Sequence, residues 1–239
     1  MKKNLMIIVL CCWATGITAQ SNKGGFSVKP MAGVNISNFA GGTDGIYKSK
    51  VGFTGGVEME YGVNEWLGLS LGALYSQQGA KMEGSVQMMY DNNGRSETLM
   101  ANTKGKVKGD YLNLPLMANI YIPAVKGLSL KAGLQLGILL HDRLEETDIV
   151  AKIREPISDP NEMTIGDPNQ FQVSEYYVSK NDVLKSIDLG IPVGLSYEYS
   201  NIVLDARYYF GLTKIDNTPE PEDVRNRHFS ITLGYRFHL

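Results

Sequence analysis

The sequence predicts an all-β fold, an eight-stranded antiparallel transmembrane β-barrel with up-and-down meander topology. Three observations lead there. Apolar residues recur at every second position through eight separate runs, the repeat of a strand with one face in an apolar medium. Connections between the runs alternate long and short, as in barrels with tight turns at one end and extended loops at the other. Aromatic residues collect at both ends of the apolar face, where a bilayer presents its two interfaces.

The chain of 239 residues opens with Lys2 and Lys3, an apolar run from Leu5 to Trp13, and small residues through Ala19. This order is expected of a secretory signal peptide over residues 1–19, cleaved after Ala19. The apolar run falls well short of the roughly 20 residues that span a bilayer as a helix. Cys11 and Cys12 raise lipoprotein processing as an alternative, but Leu10 is not the small residue expected before a lipidated cysteine. Both cysteines of the chain leave with the leader, so the expected barrel domain, residues 20–239, has no disulfide, thiol nucleophile or Cys ligand. The charge balance, 23 basic against 25 acidic residues, gives no basic excess and argues against a nucleic-acid partner.

The first run, residues 26–37, sets Phe26, Val28, Pro30, Ala32, Val34 and Ile36 against Ser27, Lys29, Met31, Gly33, Asn35 and Ser37. Residues 51–62 and 67–76 repeat the alternation, then 111–122 and 128–141, then 186–199, 202–212 and 229–239. A soluble sandwich or a lipocalin-like barrel would show the same period with its apolar face inward. The polar face here is mostly Gly, Ser and a few charges, which suits the narrow lumen of a small barrel better than an exposed surface. Tyr61, Trp66, Tyr197, Tyr199, Tyr235 and Phe237 mark the short-turn end, and Phe53, Tyr75, Tyr208, Phe210 and Phe229 the long-loop end. An apolar outer band of this kind is permitted only in lipid, where closure satisfies every strand edge, so the expected location is the cell outer membrane.

Nine charges fall on the polar face: Lys29, Glu58, Glu60, Lys131, Asp188, Glu198, Asp205, Arg207 and Arg236. In an eight-stranded barrel the lumen is just wide enough to be filled by side chains, so these are expected to form an ion-pair network that closes the pore. Asp205 and Arg207 are expected to pair with Arg236 and with Asp188 or Glu198. The alternative is a small ion-conducting pore, although charges of both signs argue against a selective one.

Residues 39–50, 80–106, 142–184 and 214–227 are expected to be long polar loops. The third is rich in acidic residues, and its Phe171, Tyr176 and Tyr177 offer contact area for a surface partner. Its carboxylates suit divalent cations bridging to lipopolysaccharide, which with outer-membrane lipid is an expected partner.

Signs of catalysis are weak. Gly68-Leu69-Ser70-Leu71-Gly72 fits the nucleophile-elbow string but lies mid-strand, where the required strand-to-helix turn is missing. His141, His228 and His238 lack metal-ligand spacing, and a triad of Ser230, His228 and Asp205 has no register to support it. No enzyme activity, cofactor or metal is expected.

At the C-terminus, Thr232, Gly234, Phe237 and Leu239 follow the final-strand pattern read by barrel-insertion machinery. An exposed strand edge can be captured by augmentation, with alternate side chains giving specificity.

GVNISNF at 33–39, KSKVGFTGGVEMEYGVNEWLGLSLGALYSQQGAK at 48–81, YLNLPLMANIY at 111–121, IDLGIPVGLSYEY at 187–199 and HFSITLGYRF at 228–237 resemble the PorT-like outer-membrane β-barrel proteins of Bacteroidetes. The resemblance runs through nearly the whole mature chain. It implies a barrel in a Gram-negative cell envelope and a link to protein secretion by the type IX system, with a secretion component or surface protein as partner.

Overall fold

The computed structural model describes residues 24–41, 47–92, 95–154, 171–218 and 223–239. The leader expected over residues 1–19 lies outside them. Among the described residues ten strands form one antiparallel sheet: β1 (Phe26–Ala40), β2 (Tyr47–Gly62), β3 (Leu67–Asn92), β4 (Arg95–Tyr121), β5 (Leu128–Arg154), β6 (Phe171–Lys180), β7 (Ile187–Tyr199), β8 (Ile202–Gly211), β9 (Arg225–Tyr235) and β10 (Phe237–His238). Neighbours pair in chain order, except that β6 pairs only with β5 and leaves β5 to meet β7. β1 pairs with both β9 and β10, and this closes the ring.

The membrane wall of the ring therefore counts eight strands, because β6 lies outside it and β9 and β10 are one strand interrupted. Both keep the same register against β1, with Met31 opposite Gly234 and Val28 opposite Phe237. The gap falls where Pro30 would face Tyr235. Proline has no N–H to give the ladder at that point, while on the other side the Arg236 amide extends the β8–β9 register by donating to the Asn201 carbonyl at 2.8 Å.

Register sets the barrel's dimensions. Paired residues followed once around run Phe26, Tyr61, Leu69, Ala118, Ala132, Val193, Tyr208, Phe229 and back to β1 at Ile36. The path returns ten residues higher (36 against 26). A stagger of ten residues at about 3.3 Å each, against eight strands about 4.8 Å apart, tilts the strands by roughly 40° and gives a radius of about 8 Å. The residues on this path face outward. The apolar wall from Phe26 to Ile36 then spans about 25 Å along the axis, at about 2.5 Å of axial rise per residue.

Alternation sorts side chains as the sequence suggested. Val34, Leu71, Leu116, Leu134, Leu195, Leu204 and Leu233 are exposed on the outer wall, and Lys29, Glu58, Ser70, Asn119, Lys131, Asp205 and Thr232 are buried inside it. Trp66, Tyr61, Tyr197, Tyr199 and Tyr235 stand exposed at one end of the band, and Phe53, Phe210 and Phe229 at the other.

Short turns close one end. Ser200 and Asn201 both take positive φ, 49° and 68°, the conformation of the two-residue hairpin turn whose twist matches its strands. Asn64 Oδ1 accepts from the Trp66 and Leu67 amides at 2.9 and 2.8 Å, fixing the turn between β2 and β3.

The opposite end differs from the expected polar loops. Residues 80–106 are a hairpin: β3 and β4 run 26 and 27 residues and stay paired up to Asn92 and Arg95. Within 142–184, β5 continues to Arg154 and pairs with β6. Beyond the membrane band the outer face meets water, so the apolar–polar contrast that marks a lipid-facing strand disappears while the backbone still needs its partners. Among the described residues there is no helix.

Candidate functional site

The structure places all nine lumen charges in the interior, none more than 7% exposed, and divides them into three levels. In the middle, Lys29 on β1, Glu58 on β2, Lys131 on β5, and Asp205 and Arg207 on β8 form one cluster. Glu58 Oε1 lies 2.8 Å from both Lys29 Nζ and Lys131 Nζ. Asp205 Oδ2 lies 2.9 Å from Lys131 Nζ and 3.5 Å from Lys29 Nζ, and Arg207 donates to both carboxylates, reaching Asp205 Oδ1 at 2.6 Å. Three cations thus share two anions.

Nearer the short turns, Arg236 bridges Glu60 at 3.0 Å and Glu198 at 2.8 Å. Asn119 donates to Glu60 at 2.8 Å, Tyr121 donates to the other Glu60 oxygen, and Arg236 also donates to Ser27 Oγ at 3.1 Å. This cluster has one cation and two anions, the reverse imbalance of the one above it.

Toward the long hairpins, Asp188 has no cationic partner among the described residues. It accepts from Asn226 Nδ2 and Thr213 Oγ1, each at 2.9 Å. The pairing therefore differs from expectation: Arg207 meets Glu58 rather than Glu198, and Asp205 meets Lys131 rather than Arg236. The stagger of the ring is the reason. Height along the axis decides which charges meet, and it sets Asp188 apart from the rest.

A fourth layer was not foreseen. Phe39, Ala80, Val107, Tyr111, Leu184, Ile215 and Val224 pack together as a buried apolar cluster. They come from β1, β3, β4 and the segments flanking β7, β8 and β9, so the cluster crosses the barrel's interior at its long-hairpin end. An apolar cavity of about 250 Å³ opens against it, lined by Met82, Leu144 and Val183 among others. Apart from Val107 and Tyr111, these residues lie scattered through segments that read as polar loops. The one sequence signal is that Ala80 and Met82 extend the inward column of β3.

Other candidates are placed but not assembled. Ser70 is buried mid-strand and accepts from Asn119 Nδ2 at 3.1 Å, with no nucleophile turn. His228 stacks on Tyr209 with centroids 4.7 Å apart, while Asp205 sits opposite Thr232, four residues or about 13 Å along β9 from His228. Ser230, His228 and Asp205 do not converge. Tyr176 and Tyr177 are exposed and adjacent on β6, which turns them to opposite faces of the hairpin. The Phe171 side chain lies outside the described positions, as do Glu155, Asp159, Glu162 and Asp167 of the acidic loop. At the C-terminus Thr232 is buried and Leu239 is 80% exposed. A Cβ on Gly234 would stand 2.8 Å from the Pro30 carbonyl oxygen, so the closing seam needs glycine there.

A lumen packed with polar groups inside an apolar outer wall is the plan of a membrane barrel, and a sequence model described as the outer membrane protein beta-barrel domain matches residues 18–217. The chain belongs to this family. Outer membrane beta-barrel domains of solved structure include several to which this one is similar. The attachment invasion locus protein Ail of Yersinia pestis is 17% identical, with 90% of this chain and 100% of that one covered and a TM-score of 0.38. Neisserial surface protein A is 16% identical, covering 93% and 100%, with a TM-score of 0.37. OprG of Pseudomonas aeruginosa is 12% identical, covering 92% and 99%, with a TM-score of 0.34. No curated protein sequence matches. Membership puts this outer membrane beta-barrel in the outer membrane, with its exposed aliphatic band against lipid.

Proposed function

We propose that the protein is a non-enzymatic, non-conducting barrel that presents its long hairpins on the cell surface to a ligand or partner protein. The observation that carries this reading is the obstruction of the lumen: two ion-pair clusters fill it and an apolar layer crosses it above them. An ion in transit would have to displace paired charges and then pass an apolar layer. What remains for function is the outer end, where β3–β4 and β5–β6 rise beyond the band. Export by the signal peptide, insertion by the machinery that reads the last strand, and both termini in the periplasm belong to the same reading. The resemblance to PorT-like proteins supports a protein-secretion component as the partner.

Planar-bilayer recording tests the obstruction, with no reproducible open level above leak expected. A stable conductance would replace this reading with the small pore. Proteolysis of intact cells tests the orientation: cleavage near residues 150–180, with Ala124–Gly127 spared, is expected, and the opposite pattern would invert it.

A further inference from the structure

On the outer face of the long-hairpin end, three lysines stand side by side. Lys48 on β2 is in register with Lys81 on β3, and Lys81 with Lys106 on β4. The neighbouring row is inward, since Ala80 and Val107 are paired and both buried, so alternation turns the lysine row outward. Directly opposed residues of an antiparallel pair hold their Cβ atoms about 5 Å apart, and like charges so placed are destabilising.

The nearby anions, Glu83 and Glu145, offset this only in part. Glu83 is paired with Lys48. The row's next member, Glu145, is opposite Lys106 but gives its oxygens to Lys108 Nζ at 2.7 and 2.8 Å. Neither Lys81 nor Lys106 has an ion pair within 4.0 Å among the described residues. The concentration of positive charge is local, because the chain as a whole carries a formal net charge of −2.

The height of the row identifies what it meets. Lys48 lies three residues beyond Val51, an exposed apolar residue of the outer wall, and the register shift of β2 against β3 between Thr54 and Ser49 takes up one of them, so the row stands roughly 5 Å further along the axis at about 2.5 Å per residue. That is just outside the hydrocarbon band, within reach of a flexible lysine stem. We propose that the Lys48–Lys81–Lys106 row docks on a phosphate group of the saccharide head group of outer-leaflet glycolipid. A phosphate oxygen set facing the row accepts from several ammonium groups at once and removes the repulsion between them. The inference rests on the orientation given under Proposed function, with the long hairpins outside.

The test uses the full mature chain in phosphatidylcholine nanodiscs doped with diphosphorylated lipid A or with its dephosphorylated form, read by counting retained glycolipid in native mass spectrometry. Insertion is verified separately by far-UV circular dichroism and heat-modifiable migration, so a failed barrel is told apart from failed docking. Wild type should retain the phosphorylated form preferentially, and K81Q/K106Q should weaken that preference by about thirtyfold, from roughly 1 kcal/mol for each lysine near an anionic surface. Lys185→Gln, outside the row, should leave it unchanged. Inorganic phosphate at millimolar concentration should not compete. Equal retention of both glycolipids, or an inserted double variant that behaves as wild type, would overturn the proposal. Full displacement by inorganic phosphate would overturn the lipid as the source.

Discussion

Glu58→Gln is the most informative single change, because the central cluster is unbalanced. Its three cations, Lys29, Lys131 and Arg207, are held by Glu58 and Asp205 alone. The substitution keeps the shape of the side chain but removes one of two anions, taking the buried cluster from one excess positive charge to two. Breaking a buried pair by neutralising one partner costs about 3–5 kcal/mol, and three cations lose one of their two anions here, so about 5 kcal/mol is expected. The reciprocal change has the opposite character. Lys29→Met removes the surplus cation, whose second contact is the long 3.5 Å one to Asp205, and leaves two cations on two anions. Its expected cost is less than about 1.5 kcal/mol, the scale of a volume-conserving core swap. The assay is reversible urea unfolding in lipid vesicles, followed by tryptophan fluorescence. Glu83→Gln serves as the comparison, because its partner Lys48 is exposed with it and solvent screens such a pair, so the unfolding midpoint should barely move. If Lys29→Met destabilises as much as Glu58→Gln, or Glu58→Gln no more than Glu83→Gln, the charge count of the cluster does not govern its stability and the reasoning fails.

Gly33→Ala should prevent closure, since its Cβ would lie 2.0 Å from the Ile231 carbonyl oxygen across the β1–β9 seam, whereas Gly84→Ala meets nothing within 4 Å; heat-modifiable migration of the two variants measures the difference. Phe237→Ala should lower the amount inserted in cells far more than it lowers the unfolding midpoint of protein already folded in detergent, and parallel losses would reduce the C-terminal pattern to an ordinary last strand. Glu145 is held below the usual carboxylate range by its hydrogen bond from Lys108. A depressed carboxylate contributes stability above its unfolded pKa, about 4.3, that is lost as pH falls through the folded value; hydrogen exchange at residues 104–108 should therefore quicken on acidification below that range, and Glu145→Gln should remove the dependence.

The membrane-spanning part of the fold was legible because lipid outside and polar groups inside impose opposite demands on alternate residues. Lys29, Glu58 and Arg207 could be assigned to the interior from their position in that alternation alone. Their partners could not, because Arg207 meets Glu58 across much of the chain through a stagger of ten that the period of two leaves free. The upper hairpins were illegible for a related reason. At Lys81, Glu83, Lys104 and Lys106 the outward side chains are charged while the inward column holds Ala80, Met82, Gly105 and Val107, so the strand reads as a polar loop with small apolar interruptions. The apolar layer draws single residues such as Phe39, Ile215 and Val224 from different segments, and no local pattern marks them as neighbours.

The middle cluster also bears on how the barrel comes to be closed. Lys29 and Glu58 enter early in the chain, Lys131 near its centre, and Asp205 and Arg207 close to its end. Contacts so distant in sequence form late, after the entropy of closing the intervening loops has been met. A sheet that had assembled β1 to β5 alone would hold Glu58 beside Lys29, with Lys131 three strands away and Asp205 and Arg207 absent, and its free edges would remain open in lipid. Neither the charges nor the edges are satisfied until β9 meets β1. Partly closed barrels are therefore disfavoured by two independent terms at the same step, and the transition from open sheet to ring should be sharp, with the ion pairs serving as a test of completion that an unfinished chain cannot pass.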